Sequence, residues 1–466
     1  MAKVGVIGAG LGGLATSLFL ARRGHQVSLV EKDPEAPPAD PEECFRSWSR
    51  RGVAQARQPH VMLTRSSAIL RAEAPDVLDA LGEAGAHFVT ETLEPVDPLR
   101  TELPFFVTAR RLMFEAVLRR KVLAEANVRW LGGTAATGLV LRPGSDVPVV
   151  TGVTLDDGEA LSADLTVDAA GRFSQTPRWL EDAGLGPLEE VCQECGFCYM
   201  TRWYRFAPGQ AMPGGPMPIF VNSPFVLFYG FLADRDVFAL GMGLSVRDPL
   251  AATLRSPPAF ERVLAAVPEL AVWLSRGEAI SDLHILGRIE NRSRTLLRQG
   301  MPVVAGLALV GDSAMHTNPT LGRGISMAFV QAQRLADAVS QGDPTTLEFA
   351  RAFEGWRADE LGVWFEGQAQ QDSARIAQMD AALAGVAPQP SNDPTARFFA
   401  AAQVVARDNR DVGLAWSRMS NLLITPAEFA ADPHVQAAVS AHLAAGGGGP
   451  PMTGPTREMF VALASG

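Results

Sequence analysis

The sequence predicts an α/β protein with some α+β elements: a Rossmann-like βαβ domain with an inserted β-meander, a second and mostly antiparallel sheet, and a helical C-terminal region. Three observations predict this class. The chain begins with a strand, a glycine loop, a helix and a second strand; its middle contains short β runs separated by turn residues; and after residue 345 its apolar residues recur with the period of a helix. With 466 residues, 47% of them hydrophobic, the chain can bury a large core.

The first element is predicted from residues 4–31, VGVIGAGLGGLATSLFLARRGHQVSLVE. Gly8 permits a tight turn, Gly10 lets the backbone approach a pyrophosphate, and Gly13 lets the helix pack closely on the strand. The phosphates would lie at the helix N-terminus, where free N–H groups and the helix dipole favour an anion. Glu31 ends the second strand, where its carboxylate can accept hydrogen bonds from both ribose hydroxyls of an adenosine half. This loop therefore predicts dinucleotide binding and leaves FAD and NAD open.

The next elements are a helix, a strand and a meander. The segment TARRLMFEAVLRRKVLAEANVRWLGG predicts a helix at about residues 111–126 and a strand at about 128–131. Three short β runs follow, separated by Pro-Gly and Asp-Asp-Gly turns, and a fourth run ends at Asp168. Residues 199–246 are rich in aromatic and β-branched residues and predict the second sheet.

The order of these patterns predicts four parts of the chain. Residues 1–180 form the first part of the nucleotide-binding domain, 181–285 the substrate-binding sheet, and 286–345 a segment that returns to the first domain. Residues 346–466 form the helical region, with a Gly/Pro linker near 445–455.

Composition argues against several classes of function. A net charge of −10 disfavours a nucleic-acid partner. The apolar stretch from Lys3 to Leu20 superficially resembles a signal peptide, but its glycine spacing argues against one. No other stretch reaches the length of a membrane span, and four cysteines do not form a secreted disulfide framework, so a cytoplasmic protein is expected. Cys192, Cys195 and Cys198 have CxxCxxC spacing, but no fourth cysteine follows nearby, and the histidines show no ligand pairing. We therefore predict no metal site.

Three motifs resemble the FAD-dependent monooxygenases of the para-hydroxybenzoate hydroxylase superfamily. They are GAGLGG with Glu31, VDAAGR at residues 167–172, and GDSAMHTNPTLGRG at residues 311–324. The resemblance extends over nearly the full chain and implies that the first domain binds FAD. It implies that Asp312 contacts the ribitol, while the loop that follows runs beside the isoalloxazine ring. The N–H groups at the start of the helix after this loop can then stabilise negative charge on the reduced ring.

The resemblance and the N-terminal loop together give a set of expected cofactor contacts. Arg111 matches the helix arginine that meets the pyrophosphate in this superfamily, with Arg110 as a near competitor. The full set is Gly8, Gly10, Leu11, Gly12, Gly13, Glu31, Lys32, Arg111, Asp168, Gly171, Gly311, Asp312, Pro319, Gly322, Gly324 and Ile325.

Two departures from the superfamily pattern bear on the substrate. Aromatic hydroxylases usually have adjacent Asp-Gly in the second motif, whereas two alanines separate Asp168 from Gly171 here. They usually have Asn at the position of Ser326. The segment RRGVAQARQPHVM, the GRG loop and the closing REMFVALASG are more similar to bacterial natural-product tailoring enzymes, including flavin epoxidases that act on polyether-type polyketide alkenes. The balance favours an alkene over a phenol.

No acid or base is assigned with certainty. His60, Tyr199, Arg202 and Ser326 are the candidates for a catalytic role, and each has an alternative as a packing or ion-pairing residue. Gln55 accompanies His60 in a segment that the superfamily often brings near the flavin. The apolar character of the expected substrate depends on six residues of the second sheet: Met200, Phe206, Phe220, Phe225, Phe228 and Phe231.

The resemblance implies an FAD-dependent monooxygenase. NADH or NADPH, directly or through a separate flavin reductase, reduces FAD; O₂ forms a flavin C4a-hydroperoxide; and this group epoxidises or hydroxylates an apolar secondary metabolite of polyketide, terpenoid or aromatic type. Two alternatives are a flavin-dependent reductase or dehydrogenase of an isoprenoid or polyene, and a flavin-binding sensor without turnover. A halogenase is disfavoured because the eight tryptophans form no Trp-x-Trp pair and no lysine follows Lys121.

Overall fold

The structure is a computed structural model that describes residues 1–90, 95–98, 100–101, 103–213, 218–386 and 391–466. In these residues the strands are β1 Lys3–Ile7, β2 Gln26–Glu31, β3 Val61–Met62, β4 His87–Thr90, β5 Phe105–Thr108, β6 Val128–Gly132, β7 Ala136–Arg142, β8 Val149–Leu155, β9 Ala160–Ser162, β10 Leu165–Asp168, β11 Glu189–Glu194, β12 Phe197–Phe206, β13 Ile219–Asn222, β14 Val226–Leu232, β15 Val237–Ser245, β16 Gly277–Ala279, β17 His284–Leu286, β18 Glu290–Thr295, β19 Leu297–Arg298, β20 Met301–Pro302, β21 Leu307–Leu309 and β22 Met315–His316.

The helices in the same residues are α1 Leu11–Arg22, α2 Pro41–Ser47, α3 Thr64–Glu73, α4 Pro75–Ala84, α5 Arg111–Ala124, α6 Thr176–Asp182, α7 Leu250–Thr253, α8 Pro257–Ala265, α9 Pro268–Leu274, α10 Gly324–Gln341, α11 Leu347–Leu383, α12 Pro394–Asp408, α13 Arg410–Ser420, α14 Pro426–Ala431, α15 Pro433–Ala444 and α16 Arg457–Ser465. Short 3₁₀ helices cover Gly311–Ser313 and Pro319–Leu321. None of the helices in the described ranges is long and apolar enough to cross a membrane.

A five-stranded parallel sheet carries the first domain, in the order β21-β10-β1-β2-β6. Val6 of β1 pairs with Leu29 of β2 on one side and with Val167 of β10 on the other, and all three are buried. Helices α1, α5 and α10 pack around this sheet, which explains why its strands are almost entirely apolar. Strand β21 follows the strands of the second sheet in the sequence, so the parallel sheet is completed by a segment that returns from the second sheet. The parallel sheet places the carboxyl ends of β1, β2, β10 and β21 at one edge.

The inserted meander consists of β7, β8 and β9, which pair in sequence order and antiparallel. Its predicted turns, the helix before it and the strand that ends at Asp168 all occur where the sequence indicates them. A bridge between Val149 and Ala305 ties the meander to the segment that leads into β21.

The second sheet has the order β13-β14-β15-β12-β16, with β17 also paired to β12, and its pairings are antiparallel. The alternation of side chains along β14 separates two faces. Phe228 lies on the face covered by α8, α9 and α16, whereas Tyr229 lies on the opposite face, towards the first domain. The fold is thus the mixed α/β architecture that the sequence predicts.

The helical region belongs to the core of the first domain. Buried residues of α12, α13, α14 and α15 join the same apolar cluster as the parallel sheet: Ala401, Ala402, Val412, Met419, Phe429, Val435 and Val439. Helix α16 instead packs on the outer face of the second sheet, where Phe460 meets Phe225 at 5.1 Å between ring centroids. Helices α12 and α13 therefore pack on the first domain and not on the second sheet.

Candidate cofactor and substrate site

The N-terminal loop lies tightly against the end of β10. A Cβ on Gly8, whose φ is +97°, would lie 2.6 Å from the carbonyl oxygen of Ala169, and a Cβ on Gly13 would lie 1.9 Å from that of Gly8. Both glycines are therefore required by packing within the protein. Gly10 differs because a Cβ there meets no protein atom within 4 Å. The loop leaves open space at Gly10, at the N-terminus of α1.

A cavity of about 1310 Å³ begins at this open space and extends to the helical region. Of the sixteen expected cofactor contacts, fourteen lie on its wall: Gly8, Gly10, Leu11, Gly12, Glu31, Lys32, Arg111, Gly171, Gly311, Asp312, Pro319, Gly322, Gly324 and Ile325. Residues separated by some three hundred positions thus line one continuous space.

Gly13 and Asp168 are corrections to the expected set, because neither lies on the cavity wall. Gly13 packs the helix on the loop. The Asp168 carboxylate accepts hydrogen bonds from the backbone N–H of Ala170 and from the hydroxyl of Ser174, and burial raises its pKa. Asp168 therefore holds the turn after β10, and Gly171, three residues later, reaches the wall.

Glu31 lies on the wall within a network of buried charges. Its Oε2 accepts hydrogen bonds from the N–H of Ala9 at 2.8 Å and from Nη2 of Arg50 at 3.0 Å. Arg50, whose side chain is 2% exposed, also forms ion pairs with Asp33 and Glu115. Burial alone would raise the pKa of Glu31, but the charge of Arg50 holds it below its ordinary value. Glu31 is thus an ionised acceptor at the nucleotide end.

The two adjacent arginines of α5 have different surroundings. Arg110 is turned into the protein, where it forms ion pairs with Asp234 and Glu42, and it does not line the cavity. Arg111 lines the cavity and forms an ion pair with Glu115 on the next turn of the helix. The geometry therefore favours Arg111 over Arg110 as the arginine available to a pyrophosphate.

The second glycine loop connects β21 to α10 and carries a cluster of polar side chains. Nδ1 of His316 lies 3.2 Å from Oδ2 of Asp312, and Nε2 of Gln55 donates to the same oxygen at 3.4 Å. Burial would raise the pKa of Asp312, but His316, followed by Arg111 and Arg172, holds it below its ordinary value. Asp312 is therefore an ionised acceptor on the second loop, in the middle of the cavity.

His60 lies on the wall close to this cluster. Its Nδ1 lies 2.8 Å from the carbonyl oxygen of Gln58, which assigns the proton of a neutral ring to Nδ1 and leaves Nε2 as an acceptor. Burial, reinforced by the charge of Arg111, lowers the pKa of His60 to about 3. His60 is thus a neutral group and a weak proton acceptor at physiological pH.

Open space in front of the later glycines provides a test of the cofactor. A Cβ on Gly171 or Gly324 meets no protein atom within 4 Å, and one on Gly322 meets Leu63 only at 3.9 Å. Gly324 also lacks a positive φ, so neither packing nor backbone conformation within the protein requires glycine there. A flat ring lying against the backbone would use this space. The residues present fit FAD, with its adenosine half near Glu31 and its ring half near Asp312.

Three of the four catalytic candidates do not reach the cavity wall. Tyr199 is buried beneath the second loop, where its hydroxyl donates to Asn318 and is also hydrogen-bonded to Thr320. Arg202 forms an ion pair with Glu261 at 2.7 Å, as its surface interpretation predicts. Ser326 faces α3, where its hydroxyl lies 2.7 Å from that of Ser66. These side chains support the loop and its surroundings, and the Asn-to-Ser difference at position 326 no longer argues for an alkene.

Replacing Ser326 by alanine is expected to leave FAD affinity unchanged and to lower the free energy of unfolding by about 1 kcal/mol, because one buried hydrogen bond is lost. Flavin fluorescence titration and urea unfolding measure the two quantities. Ser66→Ala is the matched control and should cost about the same. A large loss of FAD affinity in Ser326→Ala would mean that Ser326 does contact the cofactor.

The far end of the cavity is lined by aromatic and aliphatic side chains together with polar ones such as Gln370, Asp393 and Thr395. Only part of this lining was predicted. Of the six sheet residues from which an apolar substrate was inferred, Phe220 and Phe231 line the cavity, whereas Met200, Phe206, Phe225 and Phe228 belong to the core on the other face. The opposite wall comes from the helical region and was not anticipated: Ala396, Phe399, Ala400, Gln403, Trp416 and Met419. His316 was also missed, although its position four residues after Asp312 in the motif could have indicated it.

The cysteine cluster is divided between different surroundings. Cys192 is exposed, whereas Cys195 and Cys198 are buried in two separate apolar clusters. Within the described residues, no group of three or more His, Cys, Asp or Glu side chains is arranged to hold a metal ion.

Comparison with known proteins agrees with this geometry. Residues 6–36 match the family described as an NAD(P)-binding Rossmann-like domain. Protein Rv3254 of Mycobacterium tuberculosis is 25% identical over 374 residues, which cover 72% of this chain and 72% of that protein.

Among solved structures, PqsL, a probable FAD-dependent monooxygenase from Pseudomonas aeruginosa, superposes with a TM-score of 0.58 at 17% identity, covering 82% of this chain and 99% of PqsL. The flavin-dependent brominase Bmp2 superposes with a TM-score of 0.61 at 14% identity, covering 95% and 99% of the two chains. The chain therefore has the fold of the FAD-dependent monooxygenase group that its motifs resemble.

Proposed function

We propose that the protein is an FAD-dependent monooxygenase that epoxidises or hydroxylates an apolar secondary metabolite, with O₂ as co-substrate and NADH or NADPH as the source of electrons. The observation that carries this proposal is the continuity of the cavity. One end has the glycine loop and the ribose acid of a dinucleotide site, the middle has a second glycine loop against which a flat ring fits, and the far end has aromatic side chains from the second sheet and from the helical region.

The residues of the chain divide the work along this cavity. Glu31 and the N–H groups at the start of α1 would bind the adenosine half, and Arg111 the pyrophosphate. Asp312 would accept a hydrogen bond from a ribitol hydroxyl, and the first N–H groups of α10 would face the ring edge that becomes negative on reduction. Bound there, FAD supplies the activation of O₂.

The far end of the cavity would position the substrate. Phe220 and Phe231 form one wall, and Phe399, Trp416 and Met419 of the helical region form the opposite one. Contact with these aromatic side chains would orient an apolar part of the substrate by shape.

The weakness of the available base favours epoxidation over phenol hydroxylation within this proposal. Tyr199 and Tyr229 are hydrogen-bonded away from the wall, and burial raises the pKa of both side chains. His60 reaches the wall, but a group whose pKa is about 3 removes a phenol proton poorly at neutral pH. Oxygen transfer to a carbon–carbon double bond requires no such base.

The test is isotopic. Purified protein loaded with FAD is supplied with NADPH or NADH, ¹⁸O₂ and a panel of apolar alkenes and phenols. The masses of the products are determined by mass spectrometry. The proposal predicts one ¹⁸O atom per product molecule and consumption of the nicotinamide. A parallel reaction with an added flavin reductase covers the case in which the nicotinamide does not reduce the bound FAD directly.

Three results would contradict the proposal, and each indicates another function. Reduction or desaturation of the alkene without ¹⁸O indicates a reductase or dehydrogenase. Halogenated product in the presence of bromide indicates a halogenase, the activity named for Bmp2. Ligand binding without turnover of any panel member, with either electron source, indicates a flavin-binding sensor.

A further inference from the structure

Arg323 is a buried cation with which no carboxylate of the described residues forms an ion pair. It lies between Gly322 and Gly324 at the start of α10, on the cavity wall, and is 9% exposed. Its guanidinium stacks on Trp364 of α11 at 5.0 Å, and Nη1 donates to the carbonyl oxygen of Trp364 at 3.4 Å. Its Nε has no hydrogen-bond partner, and it forms no ion pair with the residues that the structure describes.

Most other buried arginines of this protein have a carboxylate partner. Arg50, Arg110 and Arg357 each form an ion pair with at least one carboxylate. Arg119 also lacks an ion pair among the described residues, but it stacks on Trp48 and Trp130 and does not line the cavity. The acid that acts on Arg323 is Asp372, but the carboxylate of Asp372 accepts hydrogen bonds from Asn291 and Gln368 instead. Burial lowers the pKa of Arg323 to about 10, so it is charged at neutral pH and only partly compensated.

An unpaired buried charge is costly unless something binds it. Arg323 lines a cavity, so a bound ligand can supply the negative charge that would stabilise its guanidinium. The side chain leans on α11, which contributes Val363, Gly367 and Gln370 to the wall. The adenosine end, by contrast, is formed by Glu31, Lys32 and Arg111 from the N-terminal elements. The position of Arg323 thus favours the substrate over the nucleotide as the ligand.

We propose that Arg323 is an anion subsite that binds a carboxylate on the otherwise apolar substrate. This inference rests on the proposed function and names its substrate class: an unsaturated apolar acid. The guanidinium would fix the acidic end of the molecule and so determine which of its double bonds lies beside the ring.

The test compares two probes that differ only in charge. Binding of α-linolenate and of its methyl ester to the FAD-loaded protein, below the concentration at which either forms micelles, is measured by isothermal titration calorimetry. Wild type is expected to bind the acid about 10 to 100 times more tightly than the ester, as one charge-assisted hydrogen-bonded pair provides. Arg323→Gln should abolish this ratio while the affinity for the ester is kept, and Arg323→Lys should retain part of it.

Arg334→Gln is the matched control. Arg334 is an exposed residue of the same helix and also stacks on a tryptophan of α11, Trp356, but it does not line the cavity. Arg334→Gln should therefore leave the ratio of acid affinity to ester affinity unchanged. Arg323→Gln should also raise the thermal midpoint of the ligand-free protein, because it removes an uncompensated charge. Equal binding of acid and ester by wild type, or a ratio that survives Arg323→Gln, would overturn the proposal.

Two further readouts separate the alternatives. If Arg323 serves the cofactor instead, Arg323→Gln weakens FAD binding and leaves the acid-to-ester ratio intact, which contradicts the inference. The binding assay is independent of turnover. If the protein oxygenates neutral alkenes and shows no preference for the acid, the proposed function holds and this inference is wrong. If the protein shows an Arg323-dependent preference for the acid but incorporates no ¹⁸O, this inference holds and the proposed function is wrong.

Discussion

Replacing Gly324 by leucine is expected to abolish tight FAD binding without destabilising the apo protein. A side chain at this position enters open cavity space, and leucine has a higher helix propensity than glycine by about 0.5–1 kcal/mol. FAD affinity should fall by about 100-fold or more, equivalent to about 2.7 kcal/mol of binding free energy. Flavin fluorescence titration measures the affinity, and urea unfolding of the apo protein measures stability.

Gly355→Leu is the control for this variant. Gly355 lies in α11, where a Cβ also meets no protein atom within 4 Å, but it does not line the cavity. FAD affinity should remain at the wild-type value in Gly355→Leu. If Gly324→Leu retains wild-type affinity, the cofactor ring does not lie against this loop.

Replacing Arg50 by methionine is expected to lower the free energy of unfolding by about 3–5 kcal/mol, since it leaves the buried carboxylate of Glu31 without its cation and that of Glu115 with Arg111 alone. Glu31 and Glu115 are 5% and 0% exposed at the side chain, so water cannot replace Arg50. Urea unfolding at pH 7.5 measures the loss. Arg46→Met is the control, because Arg46 pairs with Glu43 on the surface and should contribute about 0.5 kcal/mol or less.

The pH dependence of the Arg50 variant should have the opposite sign to that of the wild type. In the wild type, the pKa of Glu31 is held below its ordinary value of 4.5, so its contribution to stability is complete at neutral pH and is lost as the pH falls through the lowered pKa. Without Arg50, burial raises that pKa, and the folded state binds protons more strongly than the unfolded state. The deficit of the variant should therefore be smaller at pH 5 than at pH 8. An equal deficit at both values would exclude an effect of the unpaired carboxylate of Glu31.

The two glycine loops could be predicted because each is a local signal. Gly10 and Glu31 are placed by one βαβ unit, and Gly322 and Gly324 by one strand–loop–helix unit, so spacing alone fixes their relative positions. That the two units share one cavity follows from the strand order of the parallel sheet, in which β10 separates β1 from β21. The sequence predicted that residues 286–345 return to the first domain, but no motif predicted this strand order.

Residues whose role depends on the direction in which the side chain points were harder to predict. Ser326 and Ile325 are adjacent at the start of α10, yet Ile325 lines the cavity and Ser326 meets α3. Arg110 and Arg111 differ in the same way at the start of α5. One step along a helix turns a side chain by about 100°, and only tertiary packing decides which side faces the ligand.

The substrate end was the least predictable part of the site. The aromatic residues of the second sheet supply both a core and a cavity wall, and the alternation along β14 assigns Phe228 to the first and Phe231 to the second. Phe399 and Trp416 come from helices that the sequence indicates only as a helical region. Their contact with the cavity depends on how α12 and α13 dock on the first domain, which no local pattern encodes.

The most direct measurement tests whether the two loops hold opposite halves of one FAD. Gly10→Leu and Gly324→Leu each place a side chain in open cavity space, one at the nucleotide end and one at the ring end. Affinities for FAD, AMP and riboflavin are measured for both variants by calorimetry. Both should lose FAD binding, but Gly10→Leu should lose AMP and keep riboflavin, whereas Gly324→Leu should keep AMP and lose riboflavin. Loss of the same half-ligand in both variants, or retention of FAD by either, would contradict the account.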